Sequence, residues 1–286
     1  MIGFNLNKTK RHYTKVLAER FPQREAEQLM RILLEDLFDI DLKRELMDPK
    51  LRITEEEEAR LAQAVNDLLQ GRPVQYVTGK AWFDGLPFQV DESVLIPRPE
   101  TEELVQHIAQ ELPLDRPLRI WDIGTGSGCI AVALAKRFPQ AEVVAFDVSD
   151  KALETARQNA LWNGVRVEFI LDDVLHPQSE VWNQPVDLVV SNPPYIRESE
   201  KAAMESNVLD HEPHTALFVP DEDPLLFYRQ ILQLAQSRLN PQGMVWFEII
   251  EALGEEMVRL CNEKGLVAEV LKDLYNKPRF VKAVNA

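Results

Sequence analysis

The sequence is poor in cysteine, in metal-ligand patterns and in long apolar runs. Its 286 residues contain only two cysteines, Cys129 and Cys261, so a disulfide framework is excluded and a reducing, cytoplasmic setting is expected. Neither cysteine has metal-ligand spacing and the 5 histidines form no H-x-x-x-H motif, so no metal site is predicted. No run of about 18 apolar residues occurs, so no membrane span is expected.

Positive charge is scarce in the second part of the chain. Residues 1–80 carry 14 basic and 14 acidic side chains, whereas residues 81–286 carry 18 basic and 33 acidic ones. The net charge of −15 therefore lies in the second part. Because Lys and Arg neutralise phosphates in nucleic-acid complexes, no nucleic-acid partner is expected. The basic N-terminal stretch lacks an apolar core, which favours a first helix over a targeting peptide.

The first two segments of the chain differ in their hydrophobic pattern. Residues 1–75 place apolar residues three and four positions apart, which predicts a small helical domain. Within it, Thr54 and Glu57 form the two ends of a capping box before one helix. Residues 76–98 are rich in aromatic and β-branched residues, and they predict a β-hairpin linker that turns at residues 84–85.

Residues 99–286 alternate between apolar strands and amphipathic helices. The strand-like runs are LRIWDIG, EVVAFDV, VEFIL, VDLVVSN and GMVWFEII, and the tail adds two further candidate strands. Strands that are apolar throughout and alternate with helices are typical of a mainly parallel sheet covered on both faces. The sequence therefore predicts an α/β domain here.

A glycine-rich turn joins the first of these strands to the next helix. The segment WDIGTGSG places Gly124, Gly126 and Gly128 where a backbone can turn sharply and approach a ligand closely. The helix that follows presents free N–H groups at its start. The spacing is G-x-G-x-G, which differs from the dinucleotide pattern G-x-G-x-x-G. A tight turn without any ligand is the alternative interpretation.

Carboxylates lie at or near the ends of the first three strands. Asp122 can accept hydrogen bonds from an ammonium group, and Asp147 can accept both hydroxyls of a ribose. At the third strand, Asp172 or Asp173 can accept from an exocyclic amine, with Val174 against a base. Together, these carboxylates suit a ligand that has an ammonium group, a ribose and an adenine. They suit NAD poorly, because a carboxylate beside the loop repels a pyrophosphate.

The fourth strand ends in Asn192, Pro193, Pro194 and Tyr195. An amide or aromatic amine is a poor nucleophile because its lone pair is delocalised. The Asn192 side-chain oxygen and the Pro193 carbonyl can each accept one N–H of such a group, while Tyr195 packs against its plane. Prolines hold these acceptors rigid. The motif therefore predicts a site that methylates a planar NH2 group, either a glutamine amide or an adenine.

These motifs resemble those of the PrmC/HemK family of protein-(glutamine-N5) methyltransferases. The similarity covers residues 72–248, through RPVQYVTG, VLIPRPETEELV, WDIGTGSG, SNPPYI and HEPHTALF. NPPY alone also occurs in amino-methylating DNA enzymes, whereas IPRPETE together with SNPPYI is far more specific. The resemblance implies a class I S-adenosylmethionine-dependent, Rossmann-like methyltransferase fold. It also implies methylation of the GGQ glutamine of peptide chain release factors, with S-adenosylhomocysteine as product.

The resemblance further implies which residues form the site. The residues implied in donor binding are Gly124, Thr125, Gly126, Ser127, Gly128, Asp147, Asp173, Val174 and Asn192. Those implied in glutamine binding are Asn192, Pro193, Pro194 and Tyr195, of which Asn192, Pro193 and Tyr195 are the catalytic candidates. Arg98, Glu100 and Thr101 match a segment near the active site, without individual roles.

Two segments depart from the family pattern. Residues 218–224 replace its glycine-rich loop and residues 249–254 replace part of its E-I-G run. A donor-binding protein that has lost catalysis is therefore one alternative, although the acceptor motif is intact. A DNA adenine-N6 methyltransferase is another, but the chain lacks a basic track for DNA. We expect a cytoplasmic monomer whose residues 1–75 dock a release factor and whose residues 99–286 carry the chemistry.

Overall fold

The computed structural model describes residues 3–112, 116–204 and 206–285. Over these ranges no helix is both long and apolar enough to cross a membrane. The described chain divides into two compact units, and the first comprises residues 3–80 together with 206–211. The remaining described residues form the second unit.

The first unit is helical. Its strands and helices up to residue 78 are β1 (Phe4–Asn5), α1 (Leu6–Leu17), α2 (Gln23–Phe38), α3 (Leu42–Met47), β2 (Arg52–Ile53), α4 (Glu55–Leu69) and α5 (Val74–Thr78). The capping box at α4 is confirmed, because Thr54 Oγ1 accepts from Glu57 N at 3.1 Å and Glu57 Oε2 accepts from Thr54 N at 2.7 Å. Apolar side chains of α2 and α4, such as Leu33 and Leu61, form its core.

A β-hairpin follows, as predicted. Its strands are β3 (Lys80–Phe83) and β4 (Leu86–Gln89). Asp84 and Gly85 both have positive φ, at 51° and 72°, which is the conformation that a two-residue hairpin turn requires. The strands begin only at Lys80, because the preceding residues form α5 between Pro73 at its start and Gly79 at its end.

The second unit contains most of the remaining elements. Up to the fourth sheet strand they are α6 (Pro99–Glu111), β5 (Arg119–Ile123), α7 (Cys129–Arg137), β6 (Glu142–Asp147), α8 (Asp150–Trp162), β7 (Glu168–Leu171) and β8 (Val186–Ser191). Beyond it come β9 (Ile196–Arg197), α9 (Ser206–His211, part of the first unit), β10 (Phe218–Val219), α10 (Leu226–Gln236), β11 (Leu239–Glu248), α11 (Gly254–Glu263), β12 (Leu266–Lys272) and β13 (Pro278–Asn285).

Seven of these strands form one sheet in the order β12-β13-β11-β8-β5-β6-β7. All pairs except those of β13 are parallel, so the predicted α/β fold with a mainly parallel sheet is confirmed. The chain runs outward from β5 through β6 to β7, and then continues on the other side of β5 with β8. Ligands of open α/β sheets bind at such a reversal, beyond the carboxyl ends of the strands.

Alternate side chains of β5 pack into two hydrophobic cores, one on each face of the sheet. Ile120 packs with residues of α6 and α7, whereas Trp121 packs with Phe146 and Trp182 on the opposite face. Because β5 is covered on both faces, its end is held rigidly. The turn that follows β5 is therefore anchored to the centre of the sheet.

Candidate active site

An open cavity lies at the carboxyl ends of β5, β6 and β8. Predicted site residues that line it are Gly124, Thr125, Gly126, Ser127, Asp147, Asp173, Val174, Asn192, Pro193 and Pro194. Arg98 and Thr101, from the start of α6, line it as well. The structure therefore brings together nearly all residues of the two predicted motifs. Gly128 and Tyr195 lie outside this lining.

The glycine-rich loop follows β5 and turns sharply, because its glycines adopt left-handed backbone conformations. Gly124 and Gly126 have φ of +75° and +54°, which side chains disfavour. A Cβ at either position would meet no atom within 4 Å, so both face open space. The N–H groups of Gly124 and Thr125 donate to the Phe146 carbonyl at 2.9 and 3.0 Å, which ties the loop to β6. A ligand can thus lie directly against the loop backbone.

Gly128 has a different reason to be glycine. Its φ is +79°, and a Cβ there would lie 3.0 Å from the Cβ and 3.2 Å from the Cα of Ala156. Since Ala156 belongs to α8, the absent side chain allows the start of α7 to approach α8 closely. The geometry thus gives Gly128 a packing role.

Asp122 lies beneath the loop and is fully buried. Its Oδ2 accepts from Thr125 Oγ1 at 2.6 Å and from Ala131 N at 3.1 Å, so it joins the loop to the first turn of α7. Within the described ranges, its Oδ1 has no hydrogen-bond partner. Burial raises the pKa of Asp122 to about 7, although both of these hydrogen bonds lower it.

Asp147 ends β6 and supports the loop from the side. Its Oδ2 accepts from Gly126 N and its Oδ1 from Ser149 N, each at 2.9 Å. Burial raises its pKa, and the backbone donors oppose that shift. A carboxylate has about four acceptor positions, so both oxygens retain capacity for further donors on the cavity side. This arrangement fits the vicinal hydroxyls of a ribose.

The structure separates the two acids after β7, which the sequence left as alternatives. Asp172 accepts from the N–H groups of Asp173, Gln178 and Ser179 and from Trp182 Nε1. Burial raises its pKa, but these donors outweigh burial and the net pKa is lowered. Asp172 is therefore committed to its own loop. Asp173, bonded only within its own turn, is the better placed acceptor for a ligand.

The acceptor motif leaves two oxygens without donors. Asn192 follows β8, and its Nδ2 donates to Thr101 Oγ1 at 3.1 Å. In the part of the chain that the structure describes, no group donates to Asn192 Oδ1 or to the Pro193 carbonyl. Tyr195 is half-buried and packs against the core that contains α10 and β11. Its contact with an acceptor group therefore stays a prediction.

A carboxylate that the sequence analysis missed lies behind this motif. Thr101 Oγ1 donates to Glu248 Oε2 at 2.6 Å, and both residues are buried. Burial raises the pKa of Glu248 to about 7, while the Thr101 hydrogen bond lowers it. Glu248 ends β11, where an acid interrupts the apolar run GMVWFEII. An acid at the carboxyl end of an otherwise apolar strand was the signal that could have found it.

Arg98 precedes α6 and pairs with the buried Glu212. The distance from Arg98 Nη2 to Glu212 Oε1 is 2.6 Å. This pair fixes the start of α6 beside the cavity. Among the residues described, no three acidic, His or Cys side chains could hold a metal ion together.

Comparisons with known proteins agree with this geometry. The family model "Methyltransferase small domain" matches residues 99–213, and "PrmC N-terminal domain" matches residues 10–79. A methyltransferase from Pyrococcus furiosus superposes with a TM-score of 0.52 at 19% identity, over 81% of this chain and 99% of that one. The hMettl16 catalytic domain gives 0.54 at 15% identity, over 81% and 82%. At these identities the likeness concerns the fold.

The sheet order, the glycine-rich loop and the matched domain define a class I methyltransferase that uses S-adenosylmethionine, so the predicted cofactor is confirmed. The release factor glutamine methyltransferase of Flavobacterium psychrophilum is 44% identical over 274 residues, which is 94% of this chain and 95% of that protein. That of Bacteroides thetaiotaomicron is 40% identical over 279 residues, 97% and 99% of the two chains. The chain belongs to the release factor glutamine methyltransferase family.

Proposed function

We propose that this enzyme methylates the side-chain amide nitrogen, N5, of the glutamine in the GGQ motif of peptide chain release factors. The names of its relatives support a release factor and a glutamine as the acceptor. The observation that carries the proposal is the pair of free acceptor oxygens, Asn192 Oδ1 and the Pro193 carbonyl, at the cavity. Two acceptors match the two N–H bonds of a primary amide.

On the donor side, the residues present fit S-adenosylmethionine. We assign the contacts to the amino-acid moiety to Gly124, Thr125, Gly126 and Ser127, because two of these glycines face open space. We assign the ribose to Asp147 and the adenine side to Asp173 and Val174, which line the same cavity. When bound, S-adenosylmethionine supplies an electrophilic methyl group on its sulfonium.

On the acceptor side, Asn192 and Pro193 would hold the glutamine NH2 in one orientation. With both N–H bonds directed at fixed oxygens, the nitrogen lone pair points at the methyl group to be transferred. Orientation of this kind can contribute up to roughly 7 to 11 kcal/mol to barrier reduction. Transfer would form the N5–CH3 bond as the S–CH3 bond breaks, and the nitrogen, made acidic by the transfer, would then lose a proton to water. A strong general base is therefore not required.

The helical unit is proposed to dock the protein substrate. Its first 80 residues are balanced in charge, unlike the acidic second part, and their matched domain occurs in this family. If the unit docks the release factor, KM for a full-length release factor will be far below KM for a short GGQ peptide, while kcat differs less. Equal KM values for the two substrates would contradict the docking role.

Transfer of label from S-adenosylmethionine tests the proposed acceptor. A release factor should gain label, and the same release factor with alanine in place of the GGQ glutamine should gain none. Duplex DNA, the acceptor of the alternative adenine-N6 activity, should also gain none, because the second part of the chain is strongly acidic. Label in DNA, or undiminished label in the alanine variant, would contradict the proposal.

A further inference from the structure

A chain of hydrogen bonds leads from the acceptor motif into the protein interior. Asn192 Nδ2 donates to Thr101 Oγ1 at 3.1 Å, and Thr101 Oγ1 donates to Glu248 Oε2 at 2.6 Å. The three residues come from the ends of β8 and β11 and from the first turn of α6. Thr101 and Glu248 are only 3% and 2% exposed, so water does not replace these contacts readily.

The direction of this chain depends on one proton. A threonine hydroxyl has a single O–H, and an ionised carboxylate can only accept. When Glu248 is ionised, the Thr101 proton must point to it, and the Thr101 oxygen is left to accept from Asn192. The Asn192 amide is then fixed with Nδ2 toward Thr101 and Oδ1 free.

The orientation of this amide matters for the proposed reaction. The two ends of an asparagine amide have nearly the same size, so packing alone distinguishes them poorly. An inverted Asn192 would present Nδ2 to the glutamine, and two N–H donors would then face each other. We propose that Thr101 and Glu248 are positioning residues that keep Asn192 Oδ1 directed at the acceptor amide. This inference rests on the proposed function.

Several charged or titratable groups face Glu248 from the surrounding elements. They are Arg98 and Glu100 at the start of α6, Cys129 of α7, Tyr195 after β8, Tyr228 of α10 and Arg279 of β13. Burial dominates this environment and raises the pKa of Glu248 to about 7, whereas both arginines lower it and Glu100 raises it. Glu248 therefore changes its charge within the pH range in which the enzyme can be assayed.

Protonation reverses the hydrogen-bond chain. A neutral Glu248 can donate to Thr101 Oγ1, and Thr101 can then donate to Asn192 Oδ1 instead of accepting from Nδ2. The inverted amide is unfavourable for methyl transfer. At saturating donor and release factor, kcat should therefore rise with pH through about 7. Saturation by the donor separates this effect from titration of Asp122 beneath the donor loop, which would act on donor binding.

Two substitutions of Thr101 test the role of its hydroxyl. Thr101→Val keeps the shape and removes the hydroxyl, so kcat should fall about 100-fold, the size of effect that misplacement of a reacting group produces. Thr101→Ser keeps the hydroxyl and should stay within about threefold of the wild type. The matched control is Thr155→Val, since Thr155 is equally buried but lies outside the cavity lining. Its kcat should not change.

A third variant, Glu248→Gln, removes the carboxyl group that titrates near pH 7. A glutamine can either donate to or accept from Thr101, so the amide orientation is no longer fixed. We expect lower kcat and no rise through pH 7. Calorimetric affinity for S-adenosylmethionine should match the wild type in all folded variants.

The side-chain amide signal of Asn192 gives a readout that does not need activity. Its NMR resonance, assigned with Asn192→Asp, should shift with a midpoint near pH 7 in the wild type and show no such midpoint in Glu248→Gln or Thr101→Val. Wild-type kcat in folded Thr101→Val, or an unchanged Asn192 titration in Glu248→Gln, would overturn the inference. Absence of label transfer by the wild type would instead reject the proposed function, and the Asn192 titration would still decide the positioning role.

Discussion

The donor side and the acceptor side of the cavity lie at the same edge of one sheet, yet they are organised differently. On the donor side, backbone N–H groups donate to an acid at a strand end, as those of Gly126 and Ser149 do to Asp147. On the acceptor side, the Asn192 side chain depends on Thr101 and Glu248, which belong to other elements. Backbone N–H groups therefore position the donor side, whereas hydrogen bonds between side chains position the acceptor side.

This difference predicts that substitutions on the two sides affect different kinetic and binding constants. A substitution on the donor side disturbs the local loop and should act on donor affinity. A substitution on the acceptor side leaves the loop intact and should act on the rate of transfer. Asn192→Ala and Asp147→Asn test whether the two sides separate in this way, and Gly128→Ala and Asp122→Asn test how the donor side is held.

Asn192→Ala removes one of the two proposed acceptors of the glutamine amide. We expect kcat to fall about 1000-fold, as when a single preorganised hydrogen-bond partner of the transition state is lost. Donor affinity, measured by calorimetry, should change less than about threefold if the donor loop is independent. Asn262→Ala, at an exposed site on α11, is the control. A large loss of donor affinity in Asn192→Ala would contradict the separation of the two sides.

Asp147→Asn tests the donor side. Both Asp147 oxygens accept a backbone N–H, and an amide can satisfy only one of these while its NH2 faces the other. The amide also has fewer acceptor positions for the ribose hydroxyls, and a hydrogen bond to a charged group contributes about 1.5 to 3 kcal/mol, so the donor dissociation constant should rise about 10- to 100-fold. At saturating donor, kcat should change little. Asp150→Asn, on the exposed first turn of α8, should behave as the wild type.

Gly128→Ala tests whether this glycine serves packing. A Cβ in the left-handed region costs about 1 to 2 kcal/mol, and here it would also press against Ala156 at 3.0 Å. Gly164 has φ of +65° but nothing within 4 Å of its Cβ position, so Gly164→Ala reports the backbone cost alone. In urea unfolding, Gly128→Ala should lose at least about 1 kcal/mol more than Gly164→Ala. Equal losses would refute the packing role.

Asp122→Asn should reduce the pH dependence of stability. The folded state raises the pKa of Asp122 from 3.8 to about 7, so between these values it retains a proton that the unfolded state loses. The free energy of unfolding of the wild type should therefore fall as pH rises from 5 to 8. The asparagine of the variant cannot titrate, so its free energy of unfolding should fall by about 2 to 3 kcal/mol less over that interval. Parallel pH curves for the two proteins would contradict the raised pKa.

The sequence was sufficient wherever the signal was local. The capping box of α4 and the hairpin turn at Asp84 and Gly85 are each formed by residues within a few positions of one another. Both appear in the structure. The strand-helix alternation likewise predicted the sheet. The α5 helix was missed, because its five residues include aromatic and β-branched side chains that favour strands, and only Pro73 and Gly79 indicate a helix.

The remaining features depend on contacts between distant residues. Thr101 and Glu248 lie 147 positions apart, and neither residue indicates the other in sequence. The choice between Asp172 and Asp173 required the path of the loop to Trp182, whose Nε1 donates to Asp172. The packing role of Gly128 required the position of Ala156. Most residues of the two sequence motifs line the cavity, while tertiary contacts show how they are held.

The position of the transferred methyl group tests the central claim most directly. A cognate release factor is incubated with the enzyme and S-adenosylmethionine, and its intact mass and fragment spectra are compared with an incubation without enzyme. We predict a gain of one methyl group, located on the side-chain amide nitrogen of the GGQ glutamine. An unchanged mass, or a methyl group on any other residue, would contradict the account.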